Sequence, residues 1–248
     1  MNPRSIQFCT SFLTATVWLT LAGTPARSQE SSPSRAVDEP ASSTDQAAAP
    51  LEPLPLRLPK PAFKGTPKHI PPNSNLEKPR KGRRPPLLAP KGTANIAAAK
   101  KVTCSDDDPI IGEAELITDG DKEASEGSYV EFGPGVQYVQ IDLDRDFAIH
   151  AVVVWHYHGS ARVYHDVIVQ VSEDKDFIAG VTTLYNNDHD NSSGLGVGRD
   201  KEYWDTYEGR LIDAKGVVGR YVRLYSNGST SDDQNHYTEV EVFGLPVK

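Results

Sequence analysis

The sequence predicts an all-β domain of the sandwich or barrel class behind a long unfolded segment, and three observations predict it. After Asn95 the chain runs in short stretches with apolar residues at alternate positions. Turn-forming clusters punctuate them at Asp119-Gly120, Gly133-Pro134-Gly135, Asn186-Asn187-Asp188 and Asn227-Gly228, and no long helical repeat lies between. Fourteen of the nineteen prolines fall between Pro33 and Pro90, mixed with Ala, Ser and Lys, a composition that cannot bury enough apolar surface to fold.

From the N-terminus, Asn2 to Arg4 give a short positive start. The mostly apolar run from Ile6 to Gly23, with small residues at Ala26 and Ser28, reads as a signal peptide over 1–28. The competing reading is an uncleaved membrane anchor, since the run approaches spanning length. Cys9 follows Gln7-Phe8 rather than a small-residue lipobox, so no acyl anchor is expected. An exported protein is expected, placed in the periplasm, on the cell surface or in the medium. Cys104 alone remains after cleavage, which leaves no intramolecular disulfide; it reads as a small buried side chain rather than a reactive thiol.

Residues 29–94 read as a disordered proline-rich linker. From Arg57 to Lys101 the balance is +11, against −17 from Val102 to Lys248. The basic run Lys78-Pro79-Arg80-Lys81-Gly82-Arg83-Arg84-Pro85 suits an anionic wall polymer or membrane surface, and export disfavours nucleic acid. The plainer reading is a solvated, semi-rigid spacer.

The folded domain is expected over 95–248. Val139, Ile141 and Leu143 alternate with Gln140 and Asp142, and Val167, Val169 and Val171 with Asp166, Ile168 and Gln170. Val152, Val154 and His156 alternate with Val153, Trp155 and Tyr157. Further strands are expected at Thr182–Tyr185, Tyr221–Ser226 and Thr238–Phe243.

With these stretches in view, the chain resembles a discoidin domain, also called factor 5/8 C-terminal or galactose-binding-like. The resemblance rests on Asn95-Ile96-Ala97, Ile117-Thr118-Asp119-Gly120-Asp121, Val139 to Leu143, Val167 to Ser172, Gly219-Arg220-Tyr221-Val222-Arg223-Leu224 and Thr238 to Gly244, in that order. It implies a jelly-roll β-sandwich whose loops at one end bind ligand, in a bacterial exported member without the paired cysteines of animal members. It also implies a structural calcium held by Asp119, Asp121, Ser125 and Glu239, with a carbonyl from Thr238; one extra residue precedes Ser125. Calcium takes several oxygen ligands, and a glycine lets the loop wrap it. The alternative is a plain acidic turn. Asn186, Asp188 and Asp190 imitate an EF-hand opening, but Asn191 and Val197 stand where glycine and glutamate are needed, so that motif is rejected.

The most unusual stretch is the histidine- and aromatic-rich run Trp155 to His165, joined by His189 and His236 in later loops. If the strand runs through His158, His156 and His158 share a face, and with His165 they could ligate a transition metal or meet sugar hydroxyls beside an aromatic ring. Buried histidines serving backbone groups at a strand end are the third reading. Arg162, Asp188, Asn191, Trp204, Asn235 and His236 complete the expected ligand surface. No Gly-x-Ser-x-Gly, His-Glu-x-x-His or cysteine nucleophile signature occurs. The expectation is therefore a non-enzymatic module for carbohydrate or a cell-surface polymer. The alternatives are a docking domain for an envelope protein and a metal-dependent hydrolase at the histidines.

Overall fold

A computed structural model of the chain describes residues 49–62 and 75–247; the expected signal peptide, with Cys9, lies outside them. Eleven strands appear among the described residues: β1 (Leu51–Pro53), β2 (Leu88–Pro90), β3 (Ala94–Asn95), β4 (Val102–Cys104), β5 (Val130–Phe132), β6 (Gln137–Trp155), β7 (Ile168–Ser172), β8 (Thr182–Asn186), β9 (Arg210–Ser226), β10 (Asn235–Tyr237) and β11 (Glu239–Pro246). Every strand pair is antiparallel, and the only helical element described is a 3-10 turn at Ala114–Thr118. The all-β sandwich expected from alternation is the fold observed.

Two strands are longer than their alternating runs suggested, because each bends and serves both layers. β6 breaks register between Asp142 and Phe147, with Asp144 at φ 72°, and β9 bends at Lys215 and Gly216, both at positive φ. The first half of β6 pairs with β4 and with Tyr221–Ser226 of β9, which continues to β7 and β8. The second half pairs with β11 and with Arg210–Gly219 of β9, and β3 closes that edge. A strand that changes sheets at a bulge makes the corner of a sandwich. Val139, Ile141, Val169, Val171, Val222 and Leu224 from one layer meet Val152, Val154, Ile212, Val240 and Val242 from the other in one buried core.

The second layer is apolar on both faces. Val152 and Val154 point into that core, whereas Ala151, Val153 and Trp155 form a second cluster with Phe243 on the opposite face. Such a face needs a cover. Leu54, Leu56 and Leu87, from the proline-rich stretch, supply it. β1 and β2 pair as a two-stranded ribbon, and the Leu54 amide donates to the Leu87 carbonyl at 3.0 Å. Composition predicted an unfolded linker here. The described parts, 49–62 and 75–94, instead lie on the sandwich, because a segment too poor in apolar residues to build a core can still complete a neighbour's. Cys104 is half-buried against the main core, and burial, followed by Asp107, Asp106 and Glu115, pushes its thiol up to about 12.

Candidate functional site

The loops 156–167, 187–209 and 227–234 converge beyond the end of β6. The Asp205 amide donates to the Arg162 carbonyl at 3.0 Å, Asn227 to His165 at 2.9 Å and Thr230 to Val163 at 2.9 Å. β6 stops at Trp155, so the condition for His156 and His158 to share a strand face is not met. His156 is fully buried, its ring stacked on Tyr164 (centroids 4.4 Å apart) and tilted against Tyr237 (4.9 Å). Its Nδ1 lies 3.4 Å from Oδ1 of the equally buried Asp205. His158 faces elsewhere: its Nε2 meets the Lys122 carbonyl at 2.9 Å, and burial lowers its pKa. Neither ring belongs to a group of three potential metal ligands among the described residues; His158 supports the loop at Lys122, whereas both ring nitrogens of the stacked His156 lack a hydrogen-bond partner among those residues.

In front of this layer lies a partly exposed aromatic patch. Register places His236 of β10 opposite Glu131 of β5, with Tyr237 opposite Val130, so His236 and Glu131 share the outer side. His236 Nε2 is 3.2 Å from Glu131 Oε2. Tyr129 and Tyr157, both half-buried, meet edge to face at 5.0 Å, and the Arg162 guanidinium lies 4.9 Å over the Tyr157 ring. Arg162 also reaches Asp232 Oδ2 at 3.3 Å. Burial, then Arg162, pushes His236 down to about 4, while burial and Asp232 raise Glu131. This is a ring platform edged by a fixed planar fork and two carboxylates, which suits a ligand with one apolar face and several hydroxyls. Sequence analysis picked Arg162 and His236 but missed Tyr129, Glu131, Tyr157 as platform, and Asp232. The Tyr129-Val130-Glu131 spacing was the available signal, since alternate residues share a face.

The remaining expected ligand residues divide between loop supports and the far side of the 203–211 loop. Asn235 is buried with its amide spent: Oδ1 accepts from Ser226 Oγ and the Gly228 amide, and Nδ2 donates to the Gly133 and Gly135 carbonyls. Asp188 is buried and caps the 188–193 turn, accepting from the Ser192 amide at 3.0 Å and from Ser193. Asn191, at φ 62°, accepts from the Gly196 amide at 2.6 Å. His165 Nδ1 sits 3.4 Å from Glu202. Asp166, Asp188 and Asp190 bring carboxylate oxygens within 4.8 Å of one another, and Ser192, Ser193 and Asn227 donate hydrogen bonds to these three carboxylates. Trp204 is half-buried and faces a groove described below.

The residues expected around calcium lie together at the start of β11. The Asp121 amide donates to Asp119 Oδ1 at 2.7 Å and the Gly120 amide to Glu239 Oε2 at 3.1 Å, which joins the loop to the strand. Glu239 is fully buried; burial pushes its carboxyl up to about 9, with the backbone bond from Gly120 opposing and Glu241 and Asp119 adding. Its Oε1 and Thr238 Oγ1 are buried without a hydrogen-bond partner among the described residues. Ser125 Oγ instead contacts Ser128 Oγ at 3.0 Å, and Ser128 donates to Asp121 Oδ2. A buried carboxylate with a free oxygen among oxygen donors fits a calcium ion. Ser125 is the weakest match, because its hydroxyl is already engaged.

No protein-family model matches the chain, and no curated protein matches it. Solved structures do. A CBM32 module of AlyQ, in complex with 4,5-unsaturated mannuronic acid, is 22% identical over 58% of this chain and 93% of that one (TM-score 0.42). A chitosan-binding module of a Paenibacillus chitosanase/glucanase is 21% identical over 60% and 98% (TM-score 0.39), and a Streptococcus pneumoniae fucose-binding module 17% identical over 62% and 99% (TM-score 0.44). The alignment spans 32% of a longer AlyQ chain that also holds an alginate lyase domain. At these identities the ligand contacts of those modules do not transfer to this chain residue by residue.

Proposed function

We propose that the sandwich is a non-catalytic carbohydrate-binding module of an exported protein, taking sugar on the Tyr129–Tyr157 platform. The observation that carries this reading is the half-buried tyrosine pair with Arg162 laid over one ring and the His236–Glu131 pair at its edge. A pyranose would stack its apolar face on a ring while its hydroxyls bond the guanidinium and carboxylates. A second histidine–carboxylate pair, His156 with Asp205, is buried behind Tyr164, away from a sugar on that platform. Calorimetric titration of the protein against a panel of neutral and charged glycans tests the proposal. A hit should weaken by about tenfold or more, equal to about 1.4 kcal/mol, in Tyr157→Ala and in Arg162→Lys, which keeps charge but loses the planar fork. Binding unchanged in both variants would place the sugar elsewhere.

The same reading includes a calcium ion at Asp119, Asp121, Glu239 and the Thr238 carbonyl, supported by the buried, unpartnered Glu239 oxygen. The ion would supply fixed positive charge that makes the buried carboxylate tolerable and ties the Asp-Gly-Asp loop to β11. Calcium at about 100 times its Kd should then add about 2.7 kcal/mol to stability after chelator treatment. Thermal unfolding with calcium and with chelator measures it, and Glu239→Gln should lose the calcium-dependent rise in Tm.

A further inference from the structure

Away from the aromatic patch, the other side of the 203–211 loop forms one wall of an open groove of about 650 Å³, whose opposite wall is the basic run of the proline-rich segment. Two arginines build it. Arg84 donates from Nη1 to the Gly209 carbonyl at 2.7 Å and from Nη2 to the Glu208 carbonyl at 2.9 Å, fastening the basic run to the turn. Arg210 reaches back at 2.7 Å to Glu77 and lies over the rings of Tyr185 and Tyr203 at 4.9 and 4.8 Å.

What is left facing the groove is cationic. Its two carboxylates are already engaged, Glu77 by Arg210 and Glu208 by the Arg84 amide and by Arg80 at 3.4 Å. Lys78 and Arg83 are exposed, and no ion pair or hydrogen bond holds either among the described residues. Trp204 and Tyr207 supply aromatic surface on the opposite wall. The stretch from Val102 to Lys248 carries −17, so this groove reverses the sign of the body it lies on, and a concave site of one sign gathers counter-charged ligands. Its volume is in the range of about 300–1,000 Å³ usual for ligand sites.

We infer that the groove between the Lys78–Arg84 run and the Trp204–Tyr207 turn binds a carboxylate-bearing oligosaccharide, its acid groups on Lys78, Arg80 and Arg83 and a sugar face on Trp204. This site is separate from the Tyr157 platform and does not depend on it. Guanidinium forks match carboxylates in geometry and strength, and the aromatic wall distinguishes a sugar acid from a bare anion.

The test uses the whole chain with galacturonic acid oligomers, galactose oligomers of the same length, and phosphatidylserine vesicles, titrated at low and at raised salt. The uronate should bind more tightly than the neutral oligomer and weaken as salt rises. Lys78→Ala/Arg83→Ala should lose about tenfold or more in Kd for the uronate, about 1.4 kcal/mol. A charge-matched control at exposed positions elsewhere, Lys175→Ala/Arg199→Ala, should lose less than about twofold, about 0.4 kcal/mol by the same scale. Lys78 and Arg83 are exposed, so the variant should keep the circular dichroism and Tm of the wild type. Any of four results overturns the inference: no uronate binding, equal affinity for the neutral oligomer, equal loss in the control, or preference for phosphatidylserine vesicles over uronate.

Discussion

His236 shows how one side chain links packing to pH. Burial and Arg162 hold its pKa near 4, whereas the unfolded chain takes up that proton below about 6.5. Where the unfolded state binds more protons, stability rises with pH, so this ring's contribution is complete above about 6.5 and is lost as pH falls toward 4, by up to about 1.4 kcal/mol per pH unit. Glu131, raised by burial, acts in the opposite sense near its own titration. Comparing denaturation midpoints at neutral and mildly acidic pH in wild type and His236→Asn isolates the histidine, and the variant should lose less stability on acidification. Gly209 makes a second residue-scale case. Its φ is +62°, and a Cβ there would stand 2.6 Å from the Trp155 ring, whose Nε1 donates to the Tyr207 carbonyl at 2.9 Å. Gly209→Ala should destabilise by about 1–3 kcal/mol in a urea titration, through strain and overpacking together. The sequence marked His236 as unusual, but its low pKa comes from burial and from Arg162, which another loop brings to it.

At the scale of elements, β6 and the proline-rich segment depend on each other. The run Ala151-Val152-Val153-Val154-Trp155 has no polar alternate, which is the sequence mark of a strand buried on both faces. Leu54, Leu56 and Leu87 cover the outer face, and Lys122 joins them: its ammonium bonds Glu241 at 2.7 Å and the Arg57 carbonyl at 3.1 Å, 5.3 Å over the Trp155 ring. Replacing Leu54 and Leu56 together by Ser should cost roughly 2 kcal/mol, from area bookkeeping on two half-buried leucines. Guanidinium titration followed by tryptophan emission reads the loss. A red shift before the main transition would mean that the cover peels away from Trp155 first.

Across the molecule, the described residues 49–62 and 75–247 fall in one compact unit, so the cover and sandwich should unfold together. Far-ultraviolet circular dichroism and tryptophan fluorescence should report coincident transitions; separated ones would make the cover a loose attachment. The sequence by itself determined the all-β class, because a period of two along Val139–Leu143 and Val167–Val171 sorts side chains onto two faces whatever the partners. The family resemblance, not the spacing alone, grouped Asp119, Asp121 and Glu239, and the Gly120 amide joins their loop to the strand. Only the tertiary structure decided that Val139–Leu143 and Val152–Trp155 are one bent strand, since the bend at Asp144 answers to pairing with β9 and β11. Only it decided that Asn235 and Asp188 are spent on backbone groups, that Tyr129 and Tyr157 form the platform, and that the proline-rich segment rests on Trp155. The reason is the same throughout: alternation and turn chemistry are local and survive in one dimension, whereas hydrogen-bond partners and the covering of an apolar face depend on groups more than a hundred residues apart, such as Arg84 and Gly209.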